Sequence, residues 1–164
     1  MNKETHFKDI YDEHNIKVRS MLYSITKSSD IDDLVQEVFI KIWNNLDKFR
    51  GESKISTWIY SITVRTAYDH FRKIKKDNKN TDEGLKQIGI PSNEKDIDNK
   101  ALVRFGLDNL HKDQRVVVGL HYLEGFSLAE IAAIQEVSIG TVKSRLFYAK
   151  KKLLDLFSKH GVAL

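Results

Sequence analysis

The sequence has no cysteine and a single proline among its 164 residues. The absence of cysteine excludes disulfide bonds, thiolate metal sites and cysteine nucleophiles. No stretch approaches the roughly 18 continuous apolar residues that a membrane-spanning helix needs. The first residues are polar, so we expect a cytoplasmic protein without direct membrane insertion. With one proline and no strand-like alternation, helical periodicity is the dominant pattern, which predicts an all-α fold.

Glycine and histidine are too scattered to form a recognisable catalytic motif. The eight glycines lack the pattern of a phosphate-binding loop, and the six histidines lack the spacing of metal ligands. No set of acids, bases and ligands converges on one segment, as an active site would require. We therefore expect no enzyme activity, no cofactor, no metal ion and no small-molecule substrate.

The charged residues are numerous and unevenly distributed. The chain has 27 Lys and Arg against 23 Asp and Glu, a net charge of +4, and the basic residues cluster as on surfaces that bind polyanions. Between Lys75 and Asn99 apolar residues are too few to offset the entropy lost on ordering. We predict two small helical domains, residues 1–76 and 101–164, joined by a flexible linker over 77–100.

The clearest single motif lies near the C-terminus. Ser127 and Glu130 form a capping box, which predicts the start of a short helix. A short break follows, in which Val137 and Ile139 are expected to turn inward, and a second helix resumes at Thr141. Helix-turn-helix domains place such a second helix in the DNA major groove, where side chains near its start read base edges. A lysine-rich face alone is equally typical of a solvated surface.

The first domain contains a helix with an acidic and aromatic face. Apolar residues at three-and-four spacing from 31 to 46 predict a helix that ends near residues 49–51, at a glycine. Neighbouring helices are predicted over about 7–26 and 56–73. Off or at the edge of the stripe lie Asp33, Gln36, Glu37, Phe39 and Trp43. Carboxylates and aromatic anchors suit the docking of a basic partner. The same spacing fits Phe39 and Trp43 as core residues, and spacing alone does not decide. Trp58 is favoured as a core residue.

Several strings resemble one family of proteins. YLEGFSLAEIA (122–132) and GTVKSRL (140–146) resemble region 4 of bacterial RNA polymerase sigma factors of the extracytoplasmic-function (ECF) group. DDLVQEVFIKIW (32–43) resembles region 2.2 of sigma factors, and residues 49–73 resemble regions 2.3 and 2.4. The chain departs from the family pattern at four positions: Glu136 for glycine, Ser138 for proline, Tyr148 for a basic residue and Arg65 for asparagine.

The resemblance implies a promoter-specific transcription initiation factor, responsive to stress or another signal. Its implied partners are core RNA polymerase, through the β′ clamp coiled coil and the β flap, promoter DNA and an anti-sigma factor. The implied polymerase contacts are Asp33, Gln36, Glu37, Phe39 and Trp43. The implied contacts to the −10 element are Arg50, Ser53, Lys54, Ser56, Thr57, Tyr60, Ser61, Arg65, Arg72 and Lys73. The implied contacts to the −35 element are Thr141, Lys143, Ser144, Arg145, Tyr148 and Lys150.

Two other functions fit parts of the sequence. An autonomous helix-turn-helix regulator would bind operator DNA without replacing sigma, and regulators of the LuxR type have a similar C-terminal string. Such a regulator has no need of the face between Asp33 and Trp43. A purely structural interaction module leaves the basic second helix unexplained. We therefore expect a sigma factor.

Overall fold

The structure, a computed structural model, describes residues 2–28, 30–77 and 99–161. Within these ranges it contains seven α-helices and no strand, which confirms the all-α prediction. In the first domain they are α1 (Lys3–Thr26), α2 (Ile31–Asn45) and α3 (Ile55–Asp77). In the second they are α4 (Asn99–Asp108), α5 (Lys112–Val118), α6 (Leu128–Gln135) and α7 (Ile139–Lys159). A 3-10 turn (Leu46–Lys48) follows α2, and a π-helical turn (Gly119–Leu123) continues α5.

The first three helices each bury one apolar face in a common core. Val38 and Ile42 of the predicted α2 stripe have no exposed surface. Val18 of α1 and Ile59 of α3 are equally buried and belong to the same cluster. Burial of side chains of this size stabilises a fold by about 1.5–3 kcal/mol each. The core therefore holds the acidic and aromatic face of α2 on a rigid support.

Helices α1 and α3 are longer than predicted. Helix α1 begins at Lys3 rather than near residue 7 because Asn2 caps it: Asn2 Oδ1 accepts a hydrogen bond from the backbone N–H of Glu4 at 3.3 Å. Helix α3 continues to Asp77, beyond the last apolar residue used for the prediction. The predicted linker falls mostly on residues 78–98, which lie outside the described residues, so its flexibility stays a prediction.

The helix-turn-helix begins with the capping box that the sequence predicts. Ser127 Oγ accepts from the backbone N–H of Glu130 at 3.2 Å, and Glu130 Oε2 accepts from the backbone N–H of Ser127 at 2.9 Å. Glu136 ends α6 in the left-handed conformation with φ of 55°. Ser138 then caps α7 by accepting from the backbone N–H of Thr141 at 3.1 Å. The turn is therefore closed by Glu136 and Ser138 in place of the glycine and proline frequent in the family.

One expectation for this turn is wrong. Val137 is half-buried against the core, as predicted, but Ile139 is 44% exposed. Because Ser138 is the N-cap, α7 starts at Ile139, two residues before the predicted Thr141. Ile139 thus takes the first helical position, which faces solvent.

The two domains pack directly on each other, α3 against α6 and α1 against α5. Their buried residues form one continuous cluster. The ring of Tyr60 lies edge-on to Phe126 at 5.0 Å between centroids. A Cβ added to Gly119 would lie 3.0 Å from the sulfur of Met21, which shows how closely the end of α5 approaches α1. Among the described helices, none is long and apolar enough to cross a membrane.

Candidate nucleic-acid interface and docking face

Helix α7 presents a polar and aromatic face to solvent near its N-terminus. Lys143, Ser144 and Tyr148 are exposed along it, and Lys150, about two turns after Lys143, is exposed as well. Thr141 is half-buried, and its hydroxyl lies 3.0 Å from that of Ser138. The side chains thus combine cations, hydroxyl groups and a phenol on the first turns of the helix, the part that reads base edges in helix-turn-helix proteins.

Phe147 belongs to the same face, although it was not among the predicted contacts. Its side chain is 64% exposed and packs edge-on against Tyr148, with ring centroids 5.4 Å apart. The signal was available in the sequence, since Phe147 follows Lys143 and Ser144 by four and three residues and so lies on the same side of a helix. Exposed aromatic rings in a major groove can contact thymine methyl groups.

Arg145 is oriented differently from its neighbours. Its guanidinium donates to Gln135 Oε1 of α6 at 2.9 Å and lies 3.8 Å from a carboxylate oxygen of Asp113 in α5. Its side chain is only 25% exposed. Arg145 therefore ties α7 to α5 and α6, whereas Lys143 and Ser144 point to solvent.

The predicted −10 residues lie on α3 and the loop before it. Exposed in this arrangement are Arg50, Ser53, Lys54, Arg65, Arg72 and Lys73. Ser56 and Ser61 are half-buried, and Thr57 and Tyr60 are buried. Burial raises the pKa of the Tyr60 phenol well above its usual range, and the nearby Glu124 carboxylate raises it further. The second domain thus covers part of the predicted −10 surface. Trp58, favoured as core, packs partly buried against the core beside Phe49.

Three polar contacts join this surface to the second domain. Lys54 Nζ donates to Glu130 Oε1 at 2.8 Å, Arg65 pairs with Glu136, and the Tyr68 hydroxyl donates to Asp113. The hydrogen bond from Lys54, followed by those from Ser127, lowers the pKa of Glu130 to about 2. Two predicted DNA-binding cations are therefore neutralised by carboxylates of the helix-turn-helix domain.

Also in the first domain, α1 and α2 form a groove of about 520 Å³ with aromatic walls. Phe39 is only 5% exposed and is packed by Tyr11 at 4.7 Å and Phe7 at 6.2 Å between ring centroids. Trp43 is half-buried, edge-on to Phe7 at 5.2 Å. Phe39, one of the predicted polymerase contacts, thus forms the base of this groove.

The polar residues of the groove differ in their surroundings. Asp33 and Gln36 line it and are exposed, and Ile40, which the sequence analysis did not select, is 52% exposed beside them. Glu37 is half-buried and pairs with Lys41 at 2.8 Å and with Lys73 at 3.5 Å. The hydrogen bond from Lys41 is the main reason that the pKa of Glu37 lies below its ordinary value. Within the described residues, no group of three His, Asp or Glu side chains could hold a metal ion.

Comparison with known proteins assigns both halves of the chain to one family. Residues 10–77 match the family model for Sigma-70 region 2, and residues 102–153 match that for Sigma-70, region 4. The chain is 35% identical over 150 residues to the ECF RNA polymerase sigma-E factor of Escherichia coli strain K12, covering 84% of this chain and 78% of that protein. The ECF RNA polymerase sigma-E factor of Haemophilus influenzae is 34% identical over 152 residues, with 84% and 79% covered.

A solved structure has the same arrangement of helices. The sigma factor RpoE from Bartonella quintana, in complex with the anti-sigma factor NepR, superposes with a TM-score of 0.79 at 27% identity. The match covers 93% of this chain and 97% of that one. With both regions matched in order and relatives above 30% identity over most of the chain, this protein belongs to the ECF group of sigma-70 factors.

Proposed function

We propose that this protein binds core RNA polymerase and directs it to promoters, docking through α2 and reading DNA with α3 and α7. The observation that carries the proposal is the joint presence of the α2 groove and an exposed α7 face in one chain. A regulator that acts without replacing sigma needs only the second of these. The proposed setting is the bacterial cytoplasm.

The α2 groove suits a basic helical partner such as the β′ clamp coiled coil. Asp33 and Gln36 are exposed and able to accept hydrogen bonds from arginine or lysine, and carboxylate pairs with arginine are directional. Ile40 and Trp43 of the same helix provide apolar anchors, and a few such residues carry most of the binding energy of a protein interface. Phe39 is proposed to hold the groove in shape from below. Glu37, already paired with two lysines, is proposed to contribute through its remaining acceptor capacity.

The α7 face is proposed to read the −35 element. Lys143 and Ser144 are proposed to contact base edges, and Phe147 and Tyr148 to contact the apolar surface of the bases. Thr141, at the N-terminus of α7, and Lys150 are proposed phosphate contacts, since helix N-termini and lysines bind phosphate. Because Tyr148 stands where a basic residue is common in the family, we expect a promoter preference of its own at that position.

The −10 strand is proposed to follow the loop before α3 and the exposed face of α3. Arg50, Ser53 and Lys54 line the loop, and Arg72 and Lys73 extend the basic surface along the helix. Buried and half-buried residues of the predicted set (Ser56, Thr57, Tyr60 and Ser61) are proposed to contact DNA after the second domain moves away. Stacking of a base on an aromatic ring is worth about 1–3 kcal/mol.

An anti-sigma factor is a further proposed partner. The B. quintana relative was solved in complex with one, at 27% identity and nearly full coverage. A partner of this kind would control access to polymerase and to promoter DNA. A pull-down of the full chain from its own cells in the uninduced state tests this part of the proposal.

Run-off transcription tests the central proposal. Core polymerase with the protein should give discrete transcripts from genomic fragments, and core alone should not. Asp33→Lys should abolish polymerase binding, whereas Asp155→Lys makes the same charge change on α7 and should preserve it. Binding of core by the wild-type chain without any promoter-specific transcript would count against the proposed function.

A further inference from the structure

We propose that a groove between α1 and α4 binds a small organic carboxylate with an apolar chain. This α1–α4 groove has a volume of about 340 Å³, which lies in the range of small-molecule sites. Its walls come from the C-terminal end of α1, from α4 and from the π-helical turn. None of the residues proposed to contact polymerase or DNA lines it, so the inference does not rest on the proposed function.

Large apolar side chains are exposed along the α1–α4 groove. Val103 of α4 is 51% exposed, Leu123 of the π-helical turn is 54% exposed, and the ring of Tyr23 of α1 is exposed beside them. Leu107 of α4 is buried and completes the apolar wall. Contiguous apolar patches on the surface of a soluble protein are typical of binding sites. The patch therefore provides a surface for the apolar chain of a ligand.

The charged residues of the α1–α4 groove are cations. The guanidinium carbon of Arg104 lies 5.4 Å from the centroid of the Tyr23 ring, and Lys27 Nζ lies 5.6 Å from the same centroid. Lys27 pairs with Asp108, whereas Arg104 has no carboxylate partner among the described residues. The guanidinium of Arg104 thus keeps all its donors available for an anion.

The surroundings of Lys27 show that the positive charge here is only partly balanced. Burial lowers the pKa of Lys27, Asp108 raises it, and the nearby cations Arg115 and Arg104 lower it further. The half-buried Arg115 is also stabilised in its charged form by Asp108. Three cations thus share one carboxylate in partly apolar surroundings, where an additional anion would reduce their mutual repulsion.

The apolar patch and the cations together specify the chemistry of the ligand. A carboxylate placed at Arg104 can accept two parallel hydrogen bonds from the guanidinium, a geometry that favours arginine over lysine. The chain attached to it would extend across Val103 and Leu123. A neutral apolar compound would leave the cations without an anion, and a cationic one would be repelled by Arg104 and Lys27.

The ligand would contact both domains of the chain. Tyr23 and Lys27 lie at the end of α1 in the first domain, and Val103, Arg104 and Leu123 belong to the second. A ligand that binds only the folded and packed chain stabilises it as its concentration rises. The α1–α4 groove would therefore make the stability of this protein respond to the concentration of a small molecule.

NMR of the methyl groups of the full chain, titrated with decanoate, tests the site. We expect the signals of Leu107 and Leu123 to shift and to reach saturation. The signals of Val35 and Ile40, which line the separate groove between α1 and α2, should not shift. Decan-1-ol and decyltrimethylammonium have the same chain without the carboxylate, and each should bind weaker than decanoate by about tenfold or more.

Two pairs of matched variants test the two parts of the site. Arg104→Gln should weaken decanoate binding by about fivefold to tenfold, with a smaller loss for Arg104→Lys. Arg50→Gln makes the same change at an exposed arginine outside the groove and should leave the affinity unchanged. Leu123→Gln should weaken binding by about threefold to fivefold. Leu154→Gln, at a leucine of α7 that is 53% exposed, should not.

Several results would overturn the proposal. They are the absence of shifts at Leu107 and Leu123, equal binding of decan-1-ol, and an affinity that Arg104→Gln and Leu123→Gln leave unchanged in variants whose circular dichroism shows a folded chain. Sedimentation of the wild type tests a second copy of the chain as the occupant. Dimers that Leu123→Gln abolishes would assign the groove to self-association and would also overturn the proposal. Because decanoate binding requires neither polymerase nor DNA, failure of the proposed function would leave a positive result intact.

Discussion

Arg145 is the residue for which sequence and structure suggest different roles, and Arg145→Ala separates them. The guanidinium donates to Gln135 at 2.9 Å and lies 3.8 Å from Asp113. A hydrogen bond from a charged donor contributes about 1.5–3 kcal/mol when well protected, and partial exposure reduces this. The Asp113 contact is beyond hydrogen-bond distance and adds at most about 1 kcal/mol.

From these contacts we expect Arg145→Ala to lower the free energy of unfolding by about 1–2 kcal/mol. For a chain of this size that corresponds to a melting temperature lower by about 2–4 °C for each kcal/mol. Affinity for −35 duplexes should fall by a similar factor for every sequence, because the whole helix is less well positioned. Thermal unfolding and binding to a set of single-base variants of the duplex measure the two effects.

Lys143→Ala is the matched control for this prediction. Lys143 is exposed on α7, so its loss should change the free energy of unfolding by less than about 0.5 kcal/mol. The structural role of Arg145 is refuted if Arg145→Ala leaves unfolding unchanged. It is also refuted if binding loses discrimination at one base pair, by about 1–3 kcal/mol, and is otherwise preserved.

Two further predictions concern stability. Ile42→Ala should lower the free energy of unfolding by about 2–5 kcal/mol, since Ile42 is fully buried. Denaturant titration measures this change. As a control, Ile40→Ala makes the same substitution at an exposed position of the same helix and should change the free energy of unfolding by less than about 0.5 kcal/mol. Glu130, whose pKa is lowered from 4.5 to about 2, stabilises the fold fully above its unfolded pKa, and this contribution is lost as the pH falls towards its folded pKa. Denaturation of wild type and Glu130→Gln should therefore differ at neutral pH and converge as the pH falls from about 4.5 to about 2; a constant difference would contradict the assignment.

Local features of the fold could be predicted from the sequence because they depend on neighbouring residues. The capping box of Ser127 and Glu130 and the buried stripe of α2 follow from spacing along one helix. The predicted start of α7 at Thr141 is two residues too late. Ser138, which stands where the family often has proline, is the N-cap, so Ile139 is the first helical residue. Ile40 was not selected as a polymerase contact and Phe147 was not selected as a DNA contact, although helical spacing puts Phe147 on the same side of α7 as Lys143 and Ser144.

The orientation of long polar side chains could not be predicted in the same way. Arg145 has several rotatable bonds and lies between an exposed and a buried face, so its partner is decided by the positions of Gln135 and Asp113 on other helices. The same holds for Arg65, whose partner is 71 residues further along the chain. Contacts of this kind depend on how the two domains pack on each other. The periodicity of apolar residues within either domain does not specify that packing.

Lys54 and Arg65 therefore have two competing uses. In the closed protein they pair with Glu130 and Glu136, and in the proposed promoter complex they face DNA phosphates. A substitution at either cation removes both an interdomain ion pair and a proposed DNA contact, so transcription assays on Arg65 variants alone cannot separate the two losses. Glu136→Asn removes the ion pair with Arg65 but no proposed DNA contact, and asparagine tolerates the left-handed conformation of this position. Arg65→Glu should therefore decrease promoter-specific transcription, whereas Glu136→Asn should not.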